Sequence, residues 1–362
     1  MARARRAIDR TAAAFVTLAV LVSANVAAAA PTPSPRRAVT SSLNQDDSRA
    51  AGLLRAAMNA ERVVSFIAQI QTVHFSSTGA DATIVKEEHL APDRTHKLYI
   101  APENLNGDSV VMRDDETLTY DARRQRVVVS HGPRYGESVA NGNLGLLLAN
   151  YRPVISGPKI IAGRPTIPCA LVNRFTGELV MRLWIDADTR LILQKETYHA
   201  NGTVGSRVQF EDIRYTAAIP PAVFATPLPH GYTMVQGEVA GAPSTDVSRV
   251  LSQAGFNPAG PHYLPEGFTL MGADVTTLKG IKTLHLLYSD GIRSLSLFES
   301  ASNATPDYGR LHPVATKVGN HAASYVNEGT TTLLSWKDKG LVFALVGDLD
   351  LKDLKAIAGS VS

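Results

Sequence analysis

The sequence predicts an α+β protein in which one helix precedes a long antiparallel meander and a smaller α+β unit follows it. Three observations carry this reading. From Ile67 to Tyr215, short runs rich in Val, Ile, Thr and aromatic residues alternate with Gly, Asp, Asn and Pro, as in hairpins in series. Ahead of them, Leu53, Leu54, Ala57 and Met58 recur at helical spacing. Beyond them, the breakers Gly231, Gly237, Gly241 and Pro243 divide a chain of 362 residues, a length suited to about two domains.

The first 30 residues read as a secretory signal peptide. Arg3, Arg5, Arg6 and Arg10 precede an apolar run from Ala12 to Val22, and small residues lead to Ala28-Ala29-Ala30. An uncleaved anchor is the alternative, but it wants about 20 apolar residues. Those four arginines and Asp9 account for the whole net charge of +3, so the exported chain is neutral. Neutrality argues against nucleic acid as a partner, since binding it requires a basic footprint. Cys169 is the single cysteine, which excludes an intramolecular disulfide and a cysteine-based zinc cluster. Its apolar neighbours suggest a buried strand thiol.

Residues 31–47, rich in Pro, Ser and Thr, are expected to be a flexible tether. A helix follows from Ala50, its stripe extended by Val63 and Val64, ending near Ser65. Strands are expected at 67–75, 84–91, 96–100, 109–113, 117–121 and 126–130. Leu144 to Tyr151 is apolar without β-branched residues, so it reads as a short helix plugging the sheet's concave side or covering an end. Strands at 155–164 and 170–175 lead into Leu179–Tyr215, a three-stranded wall turning at Asp186–Thr189 and Asn201-Gly202. Pro220 and Pro221 end the sheet, because proline removes ladder donors. The first domain spans 48–230 and a linker, the expected hinge, 231–244. The second domain, 245–362, opens with a helix over 245–254 capped by Thr245 or Asp246. Strands follow at 269–276, 283–289, 294–300, 321–326, 331–337 and 341–347, and a helix closes it over 351–358.

These residues carry a family likeness. Leu183-Trp184-Ile185-Asp186, the Tyr198–Gly202 turn, Phe210-Glu211-Asp212-Ile213, and Ile219–Phe224 followed by Pro229-His230-Gly231-Tyr232 resemble the lipoprotein-carrier fold. That fold is an open antiparallel half-barrel wrapped around a helix. The second domain resembles the C-terminal domain of the MucB/RseB periplasmic regulators, through Tyr263–Phe268, Leu287–Gly291 and Leu345–Leu349. Its opening helix, however, is more like that of domains attached to anti-sigma factors. The resemblance implies a non-catalytic periplasmic regulator that binds the periplasmic part of a membrane-bound anti-sigma factor and releases it on sensing a lipid or lipopolysaccharide. A periplasmic lipid or lipoprotein carrier is the alternative, and a homodimer is left open. The half-barrel would place inward side chains around its ligand, with Trp184, Phe175, Tyr99 and Leu147 as lining residues; Trp184 and Phe175 equally suit an ordinary core.

The residues offer little catalytic chemistry. Gly-x-Ser-x-Gly and glycine-rich phosphate loops do not occur, so neither an enzyme nor a cofactor is expected. His74, His89 and His96 with Glu87 and Glu88 form a histidine-rich stretch lacking the spacings of a metal site, and Glu87 and Glu88 point to opposite faces of a strand. Arg123, Arg124 and Arg126, joined by Arg113 and Arg134, form a basic patch. It is either a solvated hairpin tip or a docking site for anions, a headgroup phosphate or acidic residues of a partner.

Overall fold

The structure is a computed structural model describing residues 45–362 apart from 77–78, 132–143, 226, 238–242, 279–280, 302–307, 309–310 and 329–330. The expected signal peptide, most of the tether and Arg134 lie outside the described residues. Helix α1 (Gln45–Asn59) starts three residues inside the expected tether. It gives way at Ala60–Arg62 to a single 3-10 turn, short of the expected Ser65, and leaves Val63 exposed.

The first domain is built on strands β1 (Phe66–Ser76), β2 (Gly79–Leu90), β3 (Arg94–Ala101), β4 (Ser109–Arg113), β5 (Glu116–Asp121) and β6 (Arg126–His131). Helix α2 (Leu144–Asn150) interrupts them, and β7 (Tyr151–Ile155), β8 (Lys159–Ile161), β9 (Arg164–Asn173), β10 (Leu179–Asp186), β11 (Ile192–Tyr198) and β12 (Val204–Tyr215) follow. All pair antiparallel with sequence neighbours except that β12 returns to β1 and both β7 and β8 pair with β9. The sheet is open, with β7 at one edge, where Pro153 forfeits no ladder bond. The turn after β10 forms because the Asp186 carboxylate accepts the backbone N–H of Asp188 and Thr189, both at 2.9 Å.

The linker holds a surprise. Thr233–Gln236 forms β13, which pairs parallel to β6 and supplies the other edge of the sheet. Proline and glycine on either side hid this four-residue strand. Its anchors are Thr233 N–H to Gln125 O at 2.9 Å and Gly237 N–H to Val129 O at 2.7 Å. The expected hinge is shorter by that much.

The second domain opens with α3 (Val247–Ser252), capped by the Asp246 side chain, which accepts the Arg249 N–H at 3.2 Å. Strands β14 (Thr269–Leu278), β15 (Ile281–Ser289), β16 (Ser294–Ser300), β17 (Val314–Val318), β18 (His321–Glu328), β19 (Thr331–Asp338) and β20 (Leu341–Gly347) form one antiparallel sheet, and α4 (Leu351–Ala358) closes it. β20 lies between β16 and β19, and β17, an unanticipated strand, is an edge. Leu284, Leu295, Leu297, Leu334 and Leu345 pack with Leu354 and Ile357 of α4 to make the core.

Candidate functional site

The half-barrel has an inner face defined by what covers it. Leu54 and Ala57 of α1 pack with Leu147 of α2 and with Tyr151, Cys169, Leu171 and Leu183 of the sheet. Strand pairing carries this face across the wall. Leu183 lies opposite Cys169 and Lys195, Lys195 opposite Val208, and Val208 opposite Thr72. The next row reads Met181, Thr197, Ser206 and His74. Towards the other end, Phe66, Ala68, Ile70, Leu193 and Phe210 form an apolar cluster under Ala60. His89 fixes the 3-10 turn above it. Its Nε2 lies 2.7 Å from the Glu61 carbonyl, its Nδ1 lies 2.9 Å from Thr95 Oγ1, and its ring stacks on Phe66.

The four expected lining residues are not brought together. Tyr99 shares the inner face, since it pairs with Val85 opposite Ile70, and is half-buried. Leu147 is fully buried in the α1 cluster. Trp184 belongs to the cluster of Phe66, Ile70, Leu193 and Phe210, together with Ile161. There it is only 4% exposed, with the Lys159 ammonium 5.1 Å from its ring centre. Phe175 is 49% exposed, in the turn between β9 and β10. The turn carries Phe175 off the sheet. Lys195 and His74 occupy the inner face instead. The alternation Leu191, Leu193, Lys195, Thr197 was the signal for Lys195.

Burial raises the Cys169 thiol to about 12, which leaves it inert. His89 faces inward, whereas His96 lies on the other face with Nδ1 3.0 Å from Glu88 Oε2. No group of metal-binding side chains converges among the described residues.

The arginine hairpin is largely self-neutralised. Arg124 binds Asp121 at 2.6 Å and Arg126 approaches it at 3.7 Å. Burial pushes the Asp121 carboxyl up, but hydrogen bonds from Arg124 and the charges of Arg124 and Arg126 outweigh it and hold it below its ordinary range. Exposed Arg123 lines a cavity of about 340 Å³ with Arg124, Asn104, Leu105, Asp108 and Asp121.

The two domains meet at α2. Asn150 Nδ2 donates to the carbonyls of Gly267 (2.9 Å) and Asp290 (2.8 Å), and Tyr151 Oη donates to Asp290 Oδ2 at 2.5 Å. Asp290 is 2% exposed; burial raises its carboxyl despite that bond and the N–H groups of Ile292 and Arg293. Burial and Asp290 raise the Tyr151 hydroxyl far above its usual range. The fit is close: a Cβ on Gly291 would lie 2.6 Å from the Leu147 nitrogen, and one on Gly267 2.8 Å from the Asn150 side chain. Both glycines have positive φ, 97° and 92°.

Residues 101–228 match the MucB/RseB N-terminal domain, and residues 259–361 match a domain of unknown function, DUF4367. Among curated proteins nothing matches. Of solved structures, the MucA/MucB complex of Pseudomonas aeruginosa is similar at a TM-score of 0.58 and 19% identity, over 87% of this chain and 98% of that one. A second structure, MucB in complex with MucA(peri), gives 0.56 and 18%, over 86% and 98%. Residues 101–228 thus carry a MucB/RseB N-terminal domain, and the chain shares the two-domain fold of MucB along nearly its described length.

Proposed function

We propose that this protein is a periplasmic regulator that binds the periplasmic part of a membrane-bound anti-sigma factor, and that its half-barrel senses a lipid or lipopolysaccharide. The observation that carries the reading is the two-domain match to MucB, a protein solved in complex with MucA. The arrangement supports linkage between two ligands. A partner seated on both domains favours the arrangement fixed at α2, and an amphiphile in the half-barrel that favours another arrangement lowers the partner's affinity by its own differential binding. Arg123 and its cavity are assigned to acidic side chains of the partner. The test immobilises the exported chain and measures binding of the periplasmic segments of membrane anti-sigma factors from the same cell. One segment should bind, dissociate on addition of lipopolysaccharide, and bind several-fold more weakly to Arg123→Ala at low salt. If no segment binds, the regulatory reading falls.

The inner face supports a second reading, a lipid or lipoprotein carrier, because an apolar cluster lies beside polar side chains on one continuous wall. Native mass spectrometry of detergent-free protein distinguishes them: bound lipid with no partner affinity favours carriage.

A further inference from the structure

The edge of a sheet offers unpaired N–H and C=O groups to any extended chain, and proteins blunt such edges with charge, proline or a covering segment. Among the described residues the two sheets end on β7, β13, β14 and β17. Three of these ends are blunted. β7 carries Arg152 and Pro153, β17 carries exposed Lys317, and Ser244 exchanges backbone bonds with Ala273 on β14. The fourth, β13, reads Thr233-Met234-Val235-Gln236, with neither charge nor proline. All four residues are exposed, Met234 by 53% and Val235 by 41%. The strand is pinned in place: Thr233 and Gly237 donate to the carbonyls of Gln125 and Val129, and a Cβ on Gly237 would overlap the Ser130 hydroxyl. Alternate residues of a strand address opposite edges, so Met234 and Gln236 turn their N–H and C=O groups outward. At the Thr233 end stands the arginine hairpin, to which Gln125 belongs. Arg124 is paired with Asp121, whereas exposed Arg123 has no ion pair among the described residues.

An edge of four residues is too small to hold a second copy of the chain, since stable protein interfaces bury roughly 1,200–2,000 Å². It suits an extended peptide, for which main-chain bonds to a fixed edge and a few side-chain contacts suffice. We propose that β13 is a docking strand: an extended segment of the partner adds to its outer edge, bonding Met234 and Gln236 through its main chain, packing apolar side chains on Met234 and Val235, and meeting Arg123 with an acidic residue at one end. This rests on the reading above that the chain binds a polypeptide partner, and adds where that partner sits and in what conformation.

The test compares the exported full chain with Met234→Pro. Proline there removes an outward donor and leaves the inward bonds of β13 in place, so circular dichroism and the thermal midpoint should not change. Two probes are used: the fluorescent peptides Glu-Val-Thr-Val-Thr-Val and Val-Thr-Val-Thr-Val-Glu, followed by anisotropy, and the anti-sigma segments of the preceding assay. One of the peptides and one segment should bind the unaltered chain, and Met234→Pro should weaken each about tenfold or more. Exchanging the peptide's Glu for Lys should weaken it several-fold at low salt, a difference that Arg123→Ala removes. Should Met234→Pro lower the thermal midpoint, the peptide N-methylated at its Thr amides or at its Val amides reads the same bonds from the other side: one of the two should fail to bind, and equal binding of both overturns the docking strand. A segment that binds both chains equally overturns the docking strand and leaves the regulatory reading standing. Peptide binding abolished by Met234→Pro, with no segment bound, upholds the edge and overturns the regulatory reading. Binding of neither probe overturns both. A dimer in sedimentation that Met234→Pro dissolves gives the edge to a second copy and overturns the assignment to a partner.

Discussion

Glu299 is fully buried in the second domain, with Oε2 accepting the Ala259 N–H at 2.8 Å and Oε1 without a partner among the described residues. Desolvation raises its carboxyl from 4.5 to about 7. Because the folded state holds this proton more tightly than the unfolded chain, stability is greatest below about 4.5 and is lost as pH rises through about 7. The loss amounts to about 3 kcal/mol. Urea denaturation of Glu299→Gln at pH 5 and pH 8 should show that slope removed. Asp186 has the opposite sign. Burial would raise it, but Arg164, the N–H groups of Thr189 and Asp188, and Tyr215 hold it at about 2, so its contribution of about 2 kcal/mol is lost as pH falls through about 2. Asp186→Asn should flatten acid denaturation. The Asp186 turn was legible because the aspartate folds its own backbone. Glu299 was not, since nothing local distinguishes a buried carboxylate from one on a solvated strand.

At the scale of elements, α2 is a wedge as well as a plug. Its apolar Leu144–Ala149 announced a covering helix, and Leu147 does cover α1 and β9. Its second contact, with Gly267, Asp290 and Gly291, joins residues more than a hundred positions apart, and no local pattern encodes that pairing. Gly291→Ala should force α2 away from the second domain while leaving both sheets intact, read as an increase in radius of gyration by X-ray scattering with unchanged circular dichroism. Tyr151→Phe removes the donor from a buried carboxylate and should cost about 1–3 kcal/mol, measured by chemical denaturation. For the strands, alternation located most runs but not their inward side. Trp184 and Leu183 are adjacent and equally apolar, and only the position of α1 decides that Leu183 is the one that packs with Leu54 and Ala57.

Over the whole molecule, the open sheet was legible from hairpin periodicity, while the leash between the two sheets was not. The linker is fastened at both ends. Gly237 is bonded to Val129 of the first sheet, and Ser244 exchanges backbone bonds of 2.7 and 2.9 Å with Ala273 of the second. Six steps of chain separate Gly237 from Pro243. Fully extended, they reach about 20 Å. A second domain that lets go of α2 therefore stays within that radius, at an effective concentration on the order of millimolar. Undocking is then a tethered, self-reversing event: once whatever opened the molecule has gone, the domains find each other again at a rate independent of how dilute the protein is.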